Sequence, residues 1–572
     1  MTKSVFRPGV RWFVLLLLLA GRSAGTLQAQ TATPPAQAAV PTSAKPAPGD
    51  KDASFLATLG QLRDASFDAK DQIVDRLAQS GHPNVRPVLT ALMEGRLYTR
   101  NQDQKIFLIK PGEEDASTLD LIDPITLKAA GSASSDDLNK IVANNHLRRV
   151  LQTTLARYGL SSPDASIRLE SVQDIEHDLD EGNVQLLRAR SAIETNAKVK
   201  KEIDAGLALA TLDGTDQQAR LAAISTLRGN LRQDVLNKLT ALTATNSDGT
   251  LVEKDEAVRQ AATAALKSIT RWRSFYSGVE TLFFGLSLGS VLVLIAIGLA
   301  ITFGVMGVIN MAHGELMMLG AYTTYVVQVA MPGHPGTSIL VAIPVAFVVA
   351  ALVGILIERT VIRFLYGRPL ETLLATFGIS LILQQLVRTI FTALNRSVVT
   401  PDWMSGTLQL NEALSLTYNR LYIIIFTLLV FGALLLVLKR TRMGLEIRAV
   451  AQNRAMAKAI GIRSEWVDAM TFGLGSGIAG IAGVALSQLT NVNPNLGQSY
   501  IIDSFLVVVF GGVGNLWGAM VGGVSMGVVN EILEPYSGAV LAKIFVLIAL
   551  ILFIQIRPRG LFPPTGRASE NQ

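Results

Sequence analysis

The residues most out of keeping with their surroundings lie in the stretch GVINMAHGELMMLGAY, Gly307 to Tyr322, which sets Asn310, His313 and Glu315 inside the longest apolar part of the chain. Between Thr281 and Ile357 the sole Asp, Glu, Lys or Arg is Glu315. An ionisable group at membrane depth is costly and normally faces a bundle interior or a water-filled space. An amide, an imidazole and a carboxylate so close together could line a solute path or couple it to the cytoplasmic side. They could equally be structural, with Glu315 opposing the positive end of a helix dipole and His313 bridging to a neighbour. Both readings stand at this level. No nucleophile–base or metal-ligand constellation accompanies them, and there is no cysteine; no catalytic residue, metal or cofactor is therefore expected.

The elements that must position these groups are membrane helices. A span needs roughly 20 apolar residues, and from about residue 278 such runs follow one another. Spans are predicted at Thr281–Phe303, Met311–Met331, Ser338–Ile357, Glu371–Thr392, Leu421–Leu438 and Val467–Leu486. Two shorter pieces follow, Ile501–Gly511 and Trp517–Ile532, then a last span near Val540–Ile556. Lys and Arg cluster in alternate loops: Arg359, Arg363 and Arg368, then Lys439–Arg463, then RPRG at Arg557–Gly560. Basic loops mark the cytoplasm, which puts the segment before the first span outside and the C-terminus inside. That topology needs an odd number of crossings, so the two short pieces are expected to form a re-entrant pair around GGVGNLWG, Gly511 to Gly518. Breaks of this kind are tolerated where protein or water surrounds them, and transport paths use them. Gly511, Gly512, Gly514 and Asn515 thus join Asn310, His313, Glu315, Gln384 and Gln385 as candidate pathway residues. Close helix packing through glycine is the competing explanation.

The first half differs. Arg7 and Arg11 precede FVLLLLLA, and LQAQ offers a cleavage site, so residues 1–29 read as a signal peptide. Residues 30–50, rich in Pro, Ala and Thr, read as a linker. Residues 51–275 are expected to be an exported α-helical domain, residues 276–560 the membrane domain, and 561–572 a cytoplasmic tail. Three pieces in the exported part resemble one another: Ser162–Ile175, Thr215–Gly229 and Lys254–Ile269. Each sets an Asp to cap a helix and an Arg four residues on (Arg168, Arg220, Arg259), which suggests HEAT-like helical repeats with an insertion between the first two. Arg96–Ile109 reads as a short hairpin. His82, His146 and His177 have no metal-ligand spacing and read as solvated surface groups. The fold class expected is all-α: a polytopic helical membrane domain with a re-entrant pair, preceded by an exported HEAT-like domain.

Four stretches together carry a resemblance: GLAITFGVMGVINMAHGELMMLGAY (Gly298–Tyr322), TRMGLEIRAVAQNRAMAKAIGI (Thr441–Ile462), FGGVGNLWGAMVGG (Phe510–Gly523) and IRPRGLFPPTGR (Ile556–Arg567). They resemble the permease subunits of the branched-chain amino acid and amide family of ABC importers, over roughly residues 276–567. The Gly298–Glu315 wording looks like the urea-importing branch, with branched-chain amino acids as the alternative cargo and a passive urea or amide channel as a reading of another class. The resemblance implies an inner-membrane subunit in the lipid bilayer without its own motor, and no G-x-x-x-x-G-K-[ST] loop occurs in the sequence. It further implies a second permease subunit, two cytoplasmic ATP-binding subunits and a periplasmic substrate-binding protein as partners. Nucleic acid is not among them: the +6 net charge lies largely in inter-span loops. The loop Thr441–Ile462 is the natural ATPase-coupling element, through Gly444, Arg448, Ala451, Asn453, Ala457, Lys458 and Gly461, with the two glycines ending a short helix. Urea bears only amide-type donors and acceptors and would favour neutral groups such as Asn310, Gln384, Gln385 and Asn515. An amino acid needs partners for a carboxylate and an ammonium, and few intramembrane charges are evident.

Overall fold

The computed structural model describes residues 50–110, 118–177, 179–246 and 248–563, without the side chains of residues 50, 51, 67 and 68. The expected signal peptide, nearly all of the linker and most of the C-terminal tail lie outside the described residues. The chain divides into two compact units at Trp272–Arg273.

The first unit begins with helices α1 (Asp50–Gly60), α2 (Phe67–Gln79) and α3 (Val85–Glu94). Strands β1 (Leu97–Arg100), β2 (Ile106–Ile109), β3 (Thr118–Ile122), β4 (Ala129–Ser134) and β5 (Leu138–Lys140) follow. The expected hairpin is β1–β2, with Leu97 opposite Leu108. It belongs to a larger structure that was not expected, a five-stranded antiparallel sheet of order β4-β3-β2-β1-β5. Leu119 and Leu121 of β3 alternate inward and join Tyr98, Phe107, Ile109 and Leu138 in a small core. His82 also departs from expectation. It is 4% exposed, stacks on Phe55 and places Nε2 3.2 Å from an Asp52 oxygen, because its ring completes the core that α1 closes.

Helices α4 (Asn145–Gly159), α5 (Ala165–Glu176), α6 (Glu181–Ile193), α7 (Ala197–Thr211), α8 (Gln217–Leu227) and α9 (Gln233–Thr243) complete this unit with the start of α10 (Glu256–Met306). The helical likeness noted in the sequence has a physical basis. Asp164, Asp216 and Asp255 accept N-terminal backbone N–H groups of α5, α8 and α10. Arg168, Arg220 and Arg259 each turn back to a carbonyl in the chain entering their own helix: Ser162 and Pro163, Leu212, and Glu253 respectively. The longer first spacing is explained by three helices, α5 to α7, where the second spacing holds α8 and α9 alone.

Glu194 is the most fully paired carboxylate of this unit. Its fully buried side chain takes two 2.8 Å bonds from Arg168, one of 2.8 Å from Arg190, and the backbone N–H groups of Thr195 and Asn196. The Arg168 guanidinium foremost holds its carboxyl down to about 2, below the unfolded value of roughly 4.3. The folded state therefore binds fewer protons, so the contribution is full above the unfolded value and fades as pH falls toward the folded one. Hydrogen exchange over α4 to α9 in the full chain should show protection dropping through that acid window. Glu194→Gln, which takes the carboxylate away from the buried Arg168 and the partly exposed Arg190, should lose about 3–5 kcal/mol at neutral pH and show a flatter acid limb; an unchanged limb would refute the assignment.

The second unit continues with α11 (His313–Ala330), α12 (Pro335–Thr360), α13 (Pro369–Phe391), a β6–β7 hairpin (Thr407–Asn411, Leu414–Thr417) and α14 (Tyr418–Arg440). Two short helices, α15 (Arg442–Gln452) and α16 (Arg454–Ala459), precede α17 (Ser464–Ser487), α18 (Leu496–Gly511) and α19 (Leu516–Ile556). Among the described residues six helices are long and apolar enough to cross a membrane: α10, α12 with its short continuation to Phe364, α13, α14, α17 and α19. The expected second span is α11. Its polar start keeps it out of that set, and it is buried almost from end to end, so its neighbours are protein. This is an all-α polytopic membrane protein, with the sheet as an insertion in its first unit.

Backbones approach closely throughout this unit. A Cβ on Gly320 would fall 2.0 Å from the Gly480 carbonyl, and one on Gly314 2.4 Å from that of Gly497. Helix α19 is broken at Gly538, whose φ of 78° and ψ of 160° lie outside helical space three residues after Pro535. Its two arms match the separate pieces expected from hydropathy. At ~1.5 Å per residue, the 16-residue α18 is about 24 Å long. The turn joining it to α19 packs against Gly304, near the end of α10, and hydrogen-bonds the C-terminal segment, Leu561 N–H to Phe510 O and Phe562 N–H to Gly511 O. The expected re-entrant pair is thus a hairpin that runs the depth of the bundle rather than turning midway.

Candidate functional site

Three groups of residues merit comparison: the polar knot at the start of α11, the short helices α15 and α16, and a charged cleft at the opposite end of the bundle. The end of the bundle at which α10 stops also carries Arg359, Arg363, Arg368, α15 and α16, and is called the basic end below.

Deeper in the bundle, at the level of Ile295 of α10 and Ser380 of α13, Asn310, His313 and Glu315 are 1%, 0% and 1% exposed. Asn310 Oδ1 accepts the Ala312 N–H at 3.0 Å, closing the turn that starts α11. His313 Nε2 lies 3.1 Å from the Ile295 carbonyl of α10, to which it donates. Glu315 Oε1 accepts from Ser380 Oγ at 3.1 Å and Gln384 Nε2 at 2.7 Å, both on α13. His313 and Glu315 therefore reach different neighbours and form no dyad; each ties α11 to a separate helix. One polar atom of each stays without a protein partner: Asn310 Nδ2, His313 Nδ1 and Glu315 Oε2. Gln385, next to Gln384, is exposed on the other side of α13. Gly511, Gly512, Gly514 and Asn515 form the hairpin turn, where Asn515 Oδ1 caps α19 by accepting the N–H groups of Trp517 and Gly518. A Cβ on Gly512 would meet the Phe562 carbonyl at 2.3 Å. Glycine there serves close packing.

The expected single coupling helix is two helices. Asn453 breaks them and caps α16 through Oδ1, which accepts the Met456 N–H at 2.9 Å. Gly444 does not end a helix. It sits inside α15, where a Cβ would fall 2.2 Å from the Leu438 carbonyl. Gly461, with φ +92°, does end α16. Arg448, Ala451, Asn453 and Lys458 are exposed, while Gly444 and Ala457 are buried. Leu445, Met456 and Ile460 are 61%, 60% and 70% exposed, an apolar surface in the most basic part of the sequence.

The feature that sequence reasoning missed lies at the opposite end, where α14, α18 and the kink of α19 come together. A cleft of about 370 Å³ is lined by Arg420, Asp503, Glu531, Glu534 and Lys543, with Thr490, Tyr500 and Asn530. Lys543 Nζ donates to Asp503 at 3.0 Å, and the Arg420 guanidinium lies 4.3 Å over the Phe284 ring. Leu288, Leu292, Leu486, Leu506 and Met526 supply an apolar wall. The five charged residues come from three helices, and all but Asp503 lie near a helix end or break, where a charge in isolation reads as an interfacial anchor. Asp503, midway along the short apolar α18, was the one local signal available, and the sequence analysis passed over it. The expectation that intramembrane charges are few is corrected here, since folding gathers both signs into one enclosure. Among the described residues no group of His, Cys, Asp or Glu is arranged to hold a metal.

A bundle of apolar membrane helices that holds a buried polar knot at mid-depth, and a cleft of both charge signs at the end opposite the basic one, is an architecture suited to passing a polar solute. The chain belongs to the family of branched-chain amino acid transport system permease components, whose profile it matches over residues 281–555. It is 34% identical over 294 residues to the high-affinity branched-chain amino acid transport system permease protein LivH of Escherichia coli K12, covering 50% of this chain and 94% of that protein. It is 32% identical to the corresponding protein BraD of Pseudomonas aeruginosa, over 50% of this chain and 96% of the other. A probable branched-chain amino acid permease of Methanocaldococcus jannaschii is 28% identical, over 48% and 88% respectively. These names speak of branched-chain amino acids and not of urea. No solved structure matches. Nearly all of the first unit precedes the matched region.

Proposed function

We propose that this chain forms one half of the translocation pathway of an ATP-driven importer, and that its cargo is a branched-chain amino acid. The observation that carries the cargo assignment is the cleft. A zwitterion needs a cation for its carboxylate and an anion for its ammonium, each best met by a charge-assisted hydrogen bond. Arg420 can serve the first and Glu531 or Glu534 the second, while the leucine-rich wall accepts a branched aliphatic side chain. Lys543 and Asp503 already neutralise each other, so they shape the floor. Lys- and Arg-rich loops at the basic end support a cytoplasmic orientation for it, so the cleft would open outward, where a periplasmic substrate-binding protein can deliver cargo. The exposed Leu445, Met456 and Ile460 surface would seat against one of two ATP-binding subunits, with a second permease completing the pathway.

Urea remains the second reading, favoured by the Gly298–Glu315 wording and by Asn530, Thr490 and the cleft carboxylates, which can accept from an amide NH₂. The two readings separate in one assay: uptake of labelled leucine and of labelled urea by the complete complex in ATP-loaded vesicles. Leucine uptake that valine and isoleucine inhibit, with urea left outside, is the expected outcome. ATP-dependent urea entry without leucine entry would overturn the cargo assignment and keep the importer. Entry of either solute through this subunit alone, without ATP, would overturn the importer itself.

A further inference from the structure

At the basic end, two carboxylates from different helices are buried side chains with no water-facing surface to speak of. Asp468, in the second turn of α17, has a side chain 0% exposed, and Glu358, at the end of α12, one 2% exposed. One oxygen of each, Asp468 Oδ1 and Glu358 Oε2, has no hydrogen-bond partner in the protein. A buried carboxylate needs a cation, and for Asp468 it comes from the short helix α16: Arg454 Nη2 donates to Oδ2, and the same guanidinium lies 4.5 Å over the Tyr366 ring. Apart from this ion pair and the four-residue link to α17, α16 packs on the unit through the small side chain of Ala457, in a cluster with Ile447 and Val450 of α15 and Val467 of α17. Its other apolar side chains, Met456 and Ile460, face outward. Helix α17, in contrast, is locked to its neighbours by backbone contact: a Cβ on Gly483 would fall 2.0 Å from the Met317 carbonyl of α11, and one on Gly480 2.5 Å from the Ala346 carbonyl of α12.

We propose that the Arg454–Asp468 ion pair is the joint through which movement of α16 reaches the transmembrane bundle. Arg454 is a positioning residue, and its loss uncouples ATP hydrolysis from transport. The reasoning is mechanical. Without the ion pair, a partner pressing on the outward face of α16 could pivot it about the Ala457 contact and the short link, and the push would be partly lost. A charge-assisted pair whose carboxylate is buried, though its guanidinium is 36% exposed, resists such slip, because separating it leaves that carboxylate alone. Once α17 is engaged, its lack of slack against α11 and α12 carries the displacement as a rigid body. The inference rests on the importer reading above.

The test uses the complete complex in vesicles and records solute entry and ATP hydrolysis together, with whichever of labelled leucine or urea the unaltered complex carries. Arg454→Gln is expected to hydrolyse ATP within about two-fold of the unaltered rate yet to move at least ten-fold less solute per ATP. Arg454→Lys, which keeps a cation in place, should regain most of the ratio. Arg454→Gln combined with Asp468→Asn, which leaves no carboxylate stranded, should exceed Arg454→Gln alone if stranding disorders the joint. Should Arg454→Gln fail to assemble, Asp468→Asn by itself is read in the same way. An unaltered ratio, or uptake and hydrolysis falling in equal proportion, overturns the joint and leaves the importer standing. An unaltered complex that shows no ATP-driven entry of either solute overturns the importer and this inference with it.

Discussion

Gly483→Leu is expected to eliminate folded protein from the membrane. The Cβ alone would lie 2.0 Å from the Met317 carbonyl oxygen and 2.7 Å from the Ala321 nitrogen, both backbone atoms of α11. No rotamer relieves a clash with backbone. The helices cannot part locally either, because one turn earlier Gly480 meets Ala346 of α12 on one side while Gly320 of α11 meets it on the other. Overpacking an adaptable core costs about 1–3 kcal/mol; here the whole α11–α17 seam must open. In lipid, helix association rests largely on such van der Waals contact, so nothing replaces it. Gly378→Leu and Gly432→Leu are the controls, since a Cβ at either position meets nothing within 4 Å. The amount of full-length chain in washed membranes and its melting in mild detergent decide the matter. A Gly483→Leu protein that melts within a few degrees of the controls would show that α11 and α17 are not packed as described.

Arg420→Ala is expected to lower leucine uptake by about ten- to a hundred-fold at subsaturating substrate. That range corresponds to roughly 1.5–3 kcal/mol for a hydrogen bond to a charged group, at about 1.4 kcal/mol per factor of ten. The loss should appear mainly in KM, because the side chain meets cargo at the mouth of the pathway rather than in a later step. Arg420→Lys should recover part of it, the ammonium being a point charge where the guanidinium offers a planar fork. Glu531→Gln and Glu534→Gln should reveal which carboxylate meets the ammonium, by a comparable loss in one and little change in the other. If urea were the cargo, Arg420→Ala would alter uptake by less than about three-fold, since a neutral amide gains little from a fixed cation. Unchanged leucine uptake in all four variants would remove the cleft from the pathway.

Much of this architecture was legible before any coordinates. The membrane helices were placed to within a few residues at most ends, from Ser338–Ile357 against α12 to Val467–Leu486 against α17. Asp164, Asp216 and Asp255 cap the helices that their spacing announced, and Arg168, Arg220 and Arg259 repeat one contact in three settings. The sheet was only partly legible. β4 is AAGSAS, six small and mostly exposed residues with no alternation to detect, and β5 pairs with β1 across some forty positions, with Tyr98 opposite Lys140. The segment Thr441–Ile462 was singled out by resemblance, yet its division at Asn453 was not foreseen, because a capping side chain and a helical one cannot be told apart until the backbone turns.

Hydropathy and capping are local: a run of apolar residues must leave water, and an Asp two residues ahead of a free N–H finds it in any context. For that reason the sequence by itself determined where most of the long helices run, which end of them is basic and where the repeated helices start. Which polar groups meet is not local. Arg420, Asp503, Glu531 and Lys543 share a cleft because α14, α18 and α19 converge, and Glu315 faces Gln384 because glycine lets α11 sink into the bundle. Those encounters depend on the depth and rotation of whole helices, set by backbone contacts between residues far apart in the chain, and only the tertiary structure could decide them.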